Sequence, residues 1–198
     1  MELPQHWPLP EAAALRDELL AAYGEASRHY HDTRHLTEVL ERLDELADEG
    51  THFDRAVVAL AAWFHDAVYD GERDAEERSA AWAEDTLPEL IGDTAADEVA
   101  RLVRLTEDHL PREDDLAGCA LSDADLGILA AERDRYDEYV ASVRREYAHL
   151  TDDEFRAGRA QVLESLLAKE TLFHTPYARD RWEQPARLNV ERELARLS

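Results

Sequence analysis

The chain has 198 residues, of which 44% are hydrophobic and 34% are charged, and its formal net charge at pH 7 is −24. This composition is typical of a folded globular protein with one sizeable core and argues against intrinsic disorder. So strong a negative field repels nucleic acids and anionic membranes, and we expect neither a nucleic acid polymer nor a membrane as a partner.

Cysteine content and the first residues of the chain indicate a reducing compartment. Cys119 is the only cysteine, so an intramolecular disulfide and a cysteine-rich metal cluster are both excluded. The first residues lack the basic and apolar regions of a secretory signal, and no apolar run reaches the roughly 18 residues of a membrane span. We therefore expect a cytoplasmic protein.

A strongly amphipathic helix is predicted after Asp32 or Thr33. Apolar residues recur there at helical spacing from Leu36 to Leu46, which indicates one buried helical face. Gly50, just beyond the last of them, is typical of the position that follows a helix.

A second helix is predicted from Asp54, a favourable N-cap residue, to Gly71. Its apolar face indicates burial, and the adjacent residues His65 and Asp66 fall near its C-terminal end.

Helical periodicity continues through the rest of the chain, and no segment shows the sustained alternation of a strand. Further helices are predicted after Asp93 or Thr94, around Tyr136–Tyr147, from Phe155 to Leu167, and from Leu188 to Leu197. We predict one all-α domain, a helical bundle, over residues 1–198.

Four side chains of the metal-binding kind fall where the sequence predicts helix, namely His35, His65, Asp66 and Asp125. Two imidazoles and two carboxylates can hold one divalent ion (Mn, Fe, Co, Ni or Zn) and leave coordination positions for water. Consecutive helical residues point about 100° apart, so His65 and Asp66 can reach one ion only between helices. This chemistry favours metal-assisted hydrolysis.

Two alternatives stay open at this stage. The pair His65-Asp66 can instead be a buried ion pair that stabilises the core. Asp123 and Asp125 lie two residues apart in an apolar patch and cannot share a helical face. We assign the inward position to Asp125 and keep Asp123 as the alternative.

The order of these residues resembles that of the HD superfamily of metal-dependent phosphohydrolases. Over most of the chain, from about residue 23 onwards, the sequence is more narrowly similar to a bacterial family of small predicted HD phosphohydrolases. The stretches that carry this resemblance are Arg28-His29-Tyr30-His31 with His35-Leu36, Trp63-Phe64-His65-Asp66-Ala67-Val68-Tyr69-Asp70, Glu76-Glu77-Arg78-Ser79-Ala80, Asp123-Ala124-Asp125-Leu126, Val143-Arg144-Arg145-Glu146-Tyr147, Gly158-Arg159 and Ala186-Arg187-Leu188-Asn189.

This resemblance implies a helical fold of the HD type in which His35, His65, Asp66 and Asp125 bind the metal. It also implies hydrolysis of a phosphoester in a small, nucleotide-like molecule by a metal-activated water. The alternative function is a catalytically silent module that binds a metal or a nucleotide and regulates a partner. Amphipathic faces along the chain make a homodimer a further expectation.

A carboxylate near the metal would hold or transfer the proton of the attacking water. Asp70 is one candidate, since it would share a helical face with Asp66 if the helix continued. Glu76 and Glu77 are the others; the alternative for this pair is a solvated first turn of the next helix, where acidic residues are favourable.

Three further residues are candidates for binding the substrate. Some HD enzymes hold two metals through extra histidines between the HD pair and the last aspartate, but His109 is the only histidine in that interval here. We therefore predict one metal ion. His109 is expected to contact the substrate or to be a plain loop residue. His31 is also a candidate for binding the substrate, and its alternative role is to supply a ligand to a second metal from the other side of the site. A phosphate favours an arginine, for which Arg28 is better placed than Arg34, which is interpreted as a surface residue.

Overall fold

The computed structural model describes residues 3–72 and 74–197. The helices are α1 (Ala13–Tyr23), α2 (Thr33–Asp48), α3 (Arg55–Phe64), α4 (Ala75–Thr86), α5 (Pro88–Ile91), α6 (Asp93–Leu105), α7 (Leu116–Leu126), α8 (Arg133–Glu146), α9 (Asp152–Ala168), α10 (Pro176–Arg181) and α11 (Glu183–Leu197), with tight helical turns at Leu3–His6, Pro10–Ala12 and Gly127–Ala130. Within these residues there is no strand, which confirms the all-α prediction.

Helix α2 has the boundaries that its sequence predicts. The side chain of Asp32 accepts hydrogen bonds from the backbone N–H groups of Arg34 and His35, so Asp32 is the N-cap. The face from His35 to Leu46 is buried, and Gly50 beyond the helix has the left-handed φ of 97°.

Helix α3 begins as predicted, because the side chain of Asp54 accepts hydrogen bonds from the N–H groups of Ala56 and Val57. It ends at Phe64, however, and the prediction that it continues to Gly71 is wrong.

The backbone that follows α3 is held by side chains from other parts of the chain. The guanidinium of Arg28 donates to the carbonyl oxygens of Asp66 and Ala67 at 2.5 and 2.9 Å. The N–H of Asp66 donates to the hydroxyl of Tyr23 at 3.2 Å rather than to the carbonyl oxygen of Ala62, the acceptor that a continuing helix would use. Beyond the helix, the N–H of Val68 instead donates to the hydroxyl of Ser79, at 3.0 Å.

The later helices agree with the periodicity of the sequence over the predicted stretches. Helix α11 begins at Glu183 rather than after Pro185, which therefore lies in the first turn. Proline is tolerated in a first turn because the N–H groups there have no partner within the helix.

Helix α2 packs against α3 and α7. Helix α6 packs against α3 and α4. Helix α11 packs against α9 and the Gly127–Ala130 turn. One continuous hydrophobic cluster extends from Trp7 to Val190. The packing brings the start of α2 beside the C-terminal ends of α3 and α7.

In the described part of the chain, no helix combines the length and apolarity that a bilayer crossing requires.

A buried ion pair joins α9 to α11. Arg159 donates to both carboxylate oxygens of Glu193 at 2.7 and 3.1 Å and to the hydroxyl of Tyr139 at 2.9 Å. The hydroxyl of Tyr136 donates to the same carboxylate at 2.6 Å. The side chains of Arg159 and Glu193 are only 10% and 3% exposed, so each charge depends on the other.

We expect Arg159→Met to lower the free energy of unfolding by about 3–5 kcal/mol, because it leaves the Glu193 carboxylate buried without a counter-charge. Urea unfolding followed by circular dichroism measures this. Arg34→Met is the matched control: the Arg34 side chain is 57% exposed and forms ion pairs with Glu38 and Glu138, and its loss should cost less than about 1 kcal/mol. Equal losses for the two variants would contradict the assignment.

Candidate metal centre

Three elements bring the four predicted ligands together. His35 lies in the first turn of α2, and Asp125 lies near the C-terminal end of α7. His65 is the C-cap of α3 and keeps helical φ and ψ, Asp66 follows it outside the helix, and both side chains lie beside His35.

Short distances connect the ligand atoms. The Nε2 atom of His35 lies 3.0 Å from Nε2 of His65, 3.3 Å from Oδ2 of Asp66 and 3.1 Å from Oδ1 of Asp125. The Nε2 atom of His65 lies 3.0 Å from Oδ2 of Asp66 and 3.6 Å from Oδ1 of Asp125.

These separations fit a common ion. At ligand–metal distances of roughly 2.0–2.2 Å, neighbouring ligand atoms lie about 3.0 Å apart at right angles and about 3.5 Å apart at tetrahedral angles. The atoms of His35, His65 and Asp66 all lie within 4.8 Å of one another, the compact grouping that a metal site requires. Asp125 joins this group through its contacts with both imidazoles.

The hydrogen bonds of His65 set its tautomer in the way that metal-binding histidines require. Its Nδ1 lies 2.7 Å from the carbonyl oxygen of Ala62, which can only accept, so Nδ1 carries the proton and donates. The Nε2 atom faces Asp66 and Asp125, and on losing its proton it would offer its lone pair to a metal ion. Within the described chain, Nδ1 of His35 is buried without a hydrogen-bond partner, and the buried Oδ2 of Asp66 has only the two imidazole nitrogens as polar neighbours. A cation would compensate the cost of burying the carboxylate oxygen.

Electrostatics keep both carboxylates ionised. Burial by itself would raise the pKa of Asp66 and of Asp125, but His65 and the hydrogen bonds from the imidazoles hold both values well below the usual range. In turn, burial would lower the pKa of His65, whereas Asp66, Tyr23 and Asp125 raise it well above its usual range. Ionised carboxylates are the form that binds a metal.

Asp123, the alternative to Asp125, has a different environment. It is completely buried, and its two carboxylate oxygens accept the N–H groups of His174 and Thr175, each at 2.7 Å. Burial raises its pKa to about 6, although these hydrogen bonds oppose the shift. Asp123 therefore holds the turn before α10, while Asp125 faces the two imidazoles.

Arg28 does not have the position expected of a phosphate-binding residue. Its side chain is 1% exposed, and its guanidinium donates to the carbonyl oxygens of His31, Asp66 and Ala67. These contacts brace the backbone of the site, and a guanidinium buried in this way does not face a substrate.

His31 lies beside the four candidate ligands and is oriented by Glu146, to which the sequence assigned no role. The buried carboxylate of Glu146, at the end of α8, accepts the N–H groups of His29, Tyr30 and His31 at 2.7, 2.7 and 3.0 Å. Its other oxygen lies 2.8 Å from Nδ1 of His31. Because an ionised carboxylate only accepts, this nitrogen donates, and Nε2 of His31 is free for other contacts.

The ring of His31 is held on two further sides. It stacks on Tyr69, with the ring centroids 4.0 Å apart, and packs edge-on against His35 at 5.7 Å. Glu146 and Tyr69 were missed because their value depends on contacts between distant segments; their only signal in the sequence is their presence in the stretches that carry the resemblance.

His109 also reaches the cluster. Its Nε2 lies 3.5 Å from Oδ2 of Asp125, and its Nδ1 lies 3.2 Å from the hydroxyl of Ser122. Burial lowers its pKa, so the ring is neutral near pH 7. Its φ of 53° is the left-handed conformation, which is strained for a histidine and is found preferentially at functional sites.

The three carboxylates predicted to move protons lie in different environments. Because α3 ends at Phe64, Asp70 does not share a helical face with Asp66, and the reason for nominating it is wrong; it instead forms two hydrogen bonds with Arg78, both at 2.7 Å. Glu77 is exposed and binds Arg104. Glu76 is half-buried and lines a cavity together with His31.

Comparison with protein-family models, with curated proteins and with solved structures found no match for this chain.

We expect elemental analysis of the purified protein to find about one divalent ion per chain. His65→Ala, Asp66→Ala and Asp125→Ala should each lose the ion, because each removes an atom that lies within contact distance of the other ligand atoms. Asp123→Asn is the matched control and should retain the ion. Loss of metal in Asp123→Asn with retention in Asp125→Ala would reverse the assignment of the two carboxylates.

The carboxylate of Glu146 makes the stability of the fold depend on pH. Burial would raise the pKa of Glu146, but the hydrogen bonds from His31, Tyr30 and His29 lower it from 4.5 to about 2. A depressed pKa means that the ionised group stabilises the fold above pH 4.5 and that this contribution is lost as the pH falls towards 2.

Glu146→Gln should therefore lower the free energy of unfolding by roughly 1.5–3 kcal/mol at neutral pH, the value of a hydrogen bond to a charged group. The difference between variant and parent should shrink in urea unfolding experiments repeated at about pH 7, 5 and 3.5. A difference that stays constant over this range would show that the carboxylate charge is not the source of the stability.

Proposed function

We propose that this chain is a metal-dependent phosphohydrolase of the HD type that hydrolyses a phosphoester of a small, nucleotide-like molecule. The observation that carries the proposal is the convergence of two imidazoles and two ionised carboxylates, from the start of α2 and the ends of α3 and α7, with contacts of 3.0–3.6 Å. The order of these residues along the chain is that of the HD superfamily.

Partial exposure of the carboxylates favours a catalytic site over a structural one. The side chains of Asp66 and Asp125 are 14% and 16% exposed, whereas those of His35 and His65 are 1% exposed. The imidazoles thus form the floor of the centre and the carboxylates lie at its open side. Structural metal sites are closed, and catalytic sites keep a position open for water or substrate.

A divalent ion held by these residues would supply a water molecule of pKa about 7 and offset the negative charge of a phosphoryl group. The second contribution is important in a chain of net charge −24, whose field opposes the approach of a phosphate.

The side chains around the centre are suited to orient the substrate. His31, held by Glu146 through Nδ1, has its Nε2 free to bind a phosphoryl or leaving-group oxygen. The neutral ring of His109, close to Asp125, lies on the α7 side of the centre. Arg28 acts through the backbone, because it fixes the carbonyls of His31 and Asp66 and so the distance between the two segments.

To test this proposal, the protein is loaded with manganese and assayed against a panel of phosphomonoesters for release of inorganic phosphate. We expect turnover that is abolished by a chelator, restored by the metal, and reduced by about a thousandfold or more in Asp66→Ala, which removes a ligand. Arg34→Met, which changes an exposed charge, should keep the parent rate. A protein that binds the metal but hydrolyses none of the panel would favour the silent regulatory module instead.

A further inference from the structure

A cavity of about 460 Å³ opens beside the metal centre, between the His31 segment, α8 and α9. Its volume is within the range of roughly 300–1,000 Å³ that is usual for small-molecule sites. Five aromatic rings lie in its wall: Tyr30, Tyr69, Tyr139, Tyr147 and Phe155.

The cavity and the metal centre share a wall. Tyr30 and His31 line the cavity, and their ring centroids lie 4.8 and 5.7 Å from that of His35. A substrate whose phosphate is bound at the metal centre and by His31 can therefore extend its organic part towards the cavity that His31 lines.

The aromatic wall is ordered by contacts among its own rings and with its neighbours. Tyr69 stacks on His31, Tyr30 packs edge-on against Tyr139 with centroids 4.6 Å apart, and Phe155 lies 6.1 Å from Tyr147. Rings held in this way present faces and edges to a planar ligand at little entropic cost.

Two exposed apolar side chains lie in the wall of the cavity. Tyr147 and Val162 line it, with exposures of 39% and 50%, and they are two of the six exposed large apolar residues in the described part of the chain. Exposed apolar surface around a concave site is typical of ligand binding.

Charge decides which part of a substrate the cavity can accept. The one arginine in its wall, Arg159, is already paired with both oxygens of Glu193. The wall also contains the carboxylates of Glu76 and Glu154. An anionic group is therefore repelled from the cavity and directed to the metal centre, while an uncharged ring, or one with N–H donors, is accepted.

We propose that this cavity binds the organic part of the substrate, and that this part is an uncharged or cationic aromatic ring system such as a nucleobase. The inference rests on the proposed phosphohydrolase function and specifies its substrate class. Aliphatic phosphoesters and ring systems that carry a carboxylate are then poor substrates.

The test combines a catalytic and a non-catalytic measurement. Hydrolysis of adenosine monophosphate and of glycerol phosphate is compared in the manganese-loaded protein, and binding of adenosine, which has no phosphate, is measured by calorimetry. Val162→Trp narrows the cavity from its exposed rim, far from the metal ligands. Leu188→Trp makes the same change at a residue that is 56% exposed on α11 and is not part of the cavity wall.

We expect Val162→Trp to raise KM for adenosine monophosphate and to weaken adenosine binding, each by about tenfold, and to change glycerol phosphate hydrolysis by less than about twofold. Leu188→Trp should change none of these quantities. Tyr147→Ala, which removes part of the wall, should weaken adenosine binding in the same direction, so that the test does not depend on one variant.

The remaining outcomes separate the inference from the proposed function. If both phosphoesters are hydrolysed but Val162→Trp affects them equally or not at all, the cavity proposal is overturned and the hydrolase proposal stands. If neither phosphoester is hydrolysed, the adenosine measurement decides. Adenosine binding that is weakened in Val162→Trp supports the aromatic site, and a parent protein that does not bind adenosine overturns the cavity proposal.

Discussion

The buried guanidinium of Arg28 joins the two segments that form the metal centre. It donates to the carbonyl oxygens of His31 on one side and of Asp66 and Ala67 on the other. These bonds hold the backbone that follows the end of α3 at Phe64, where the side chains of His65 and Asp66 lie close to His35 of α2. A hydrogen-bonded buried charge of this kind is expensive to remove, since three acceptors would lose their donors at once. The positions of His65 and Asp66 depend on it.

The carboxylates around the site serve two different purposes. Glu146 and Asp123 accept backbone N–H groups, from residues 29–31 and 174–175, and so fix the segments on either side of the site. Asp66 and Asp125 instead face imidazole nitrogens. Among these acids, the partner separates the supporting role from the ligand role: backbone donors already satisfy the first pair, and the second pair remains suited to a cation.

Ion pairs with carboxylates occupy several arginines of this acidic chain. Arg104, Arg101 and Arg135 are engaged by carboxylates on the helix surfaces, and Arg159 is engaged in the interior. Few cations are therefore left to attract a phosphate at long range. Under the proposed function, attraction would arise only at the metal centre, and the aromatic cavity beside it would select the organic part of the substrate.

The sequence by itself determined the helical class, a cap at Asp54, a first cap at Asp32 or Thr33, and the types of side chain available for a metal, because periodicity and capping depend on neighbours within a few residues. Only the tertiary structure decided where α3 ends, which of Asp123 and Asp125 meets the histidines, and that Arg28 braces the backbone. The physical reason is that each of these depends on contacts between residues about 40 or more positions apart, such as Arg28 with Asp66 and Asp123 with His174. Local spacing carries no record of them.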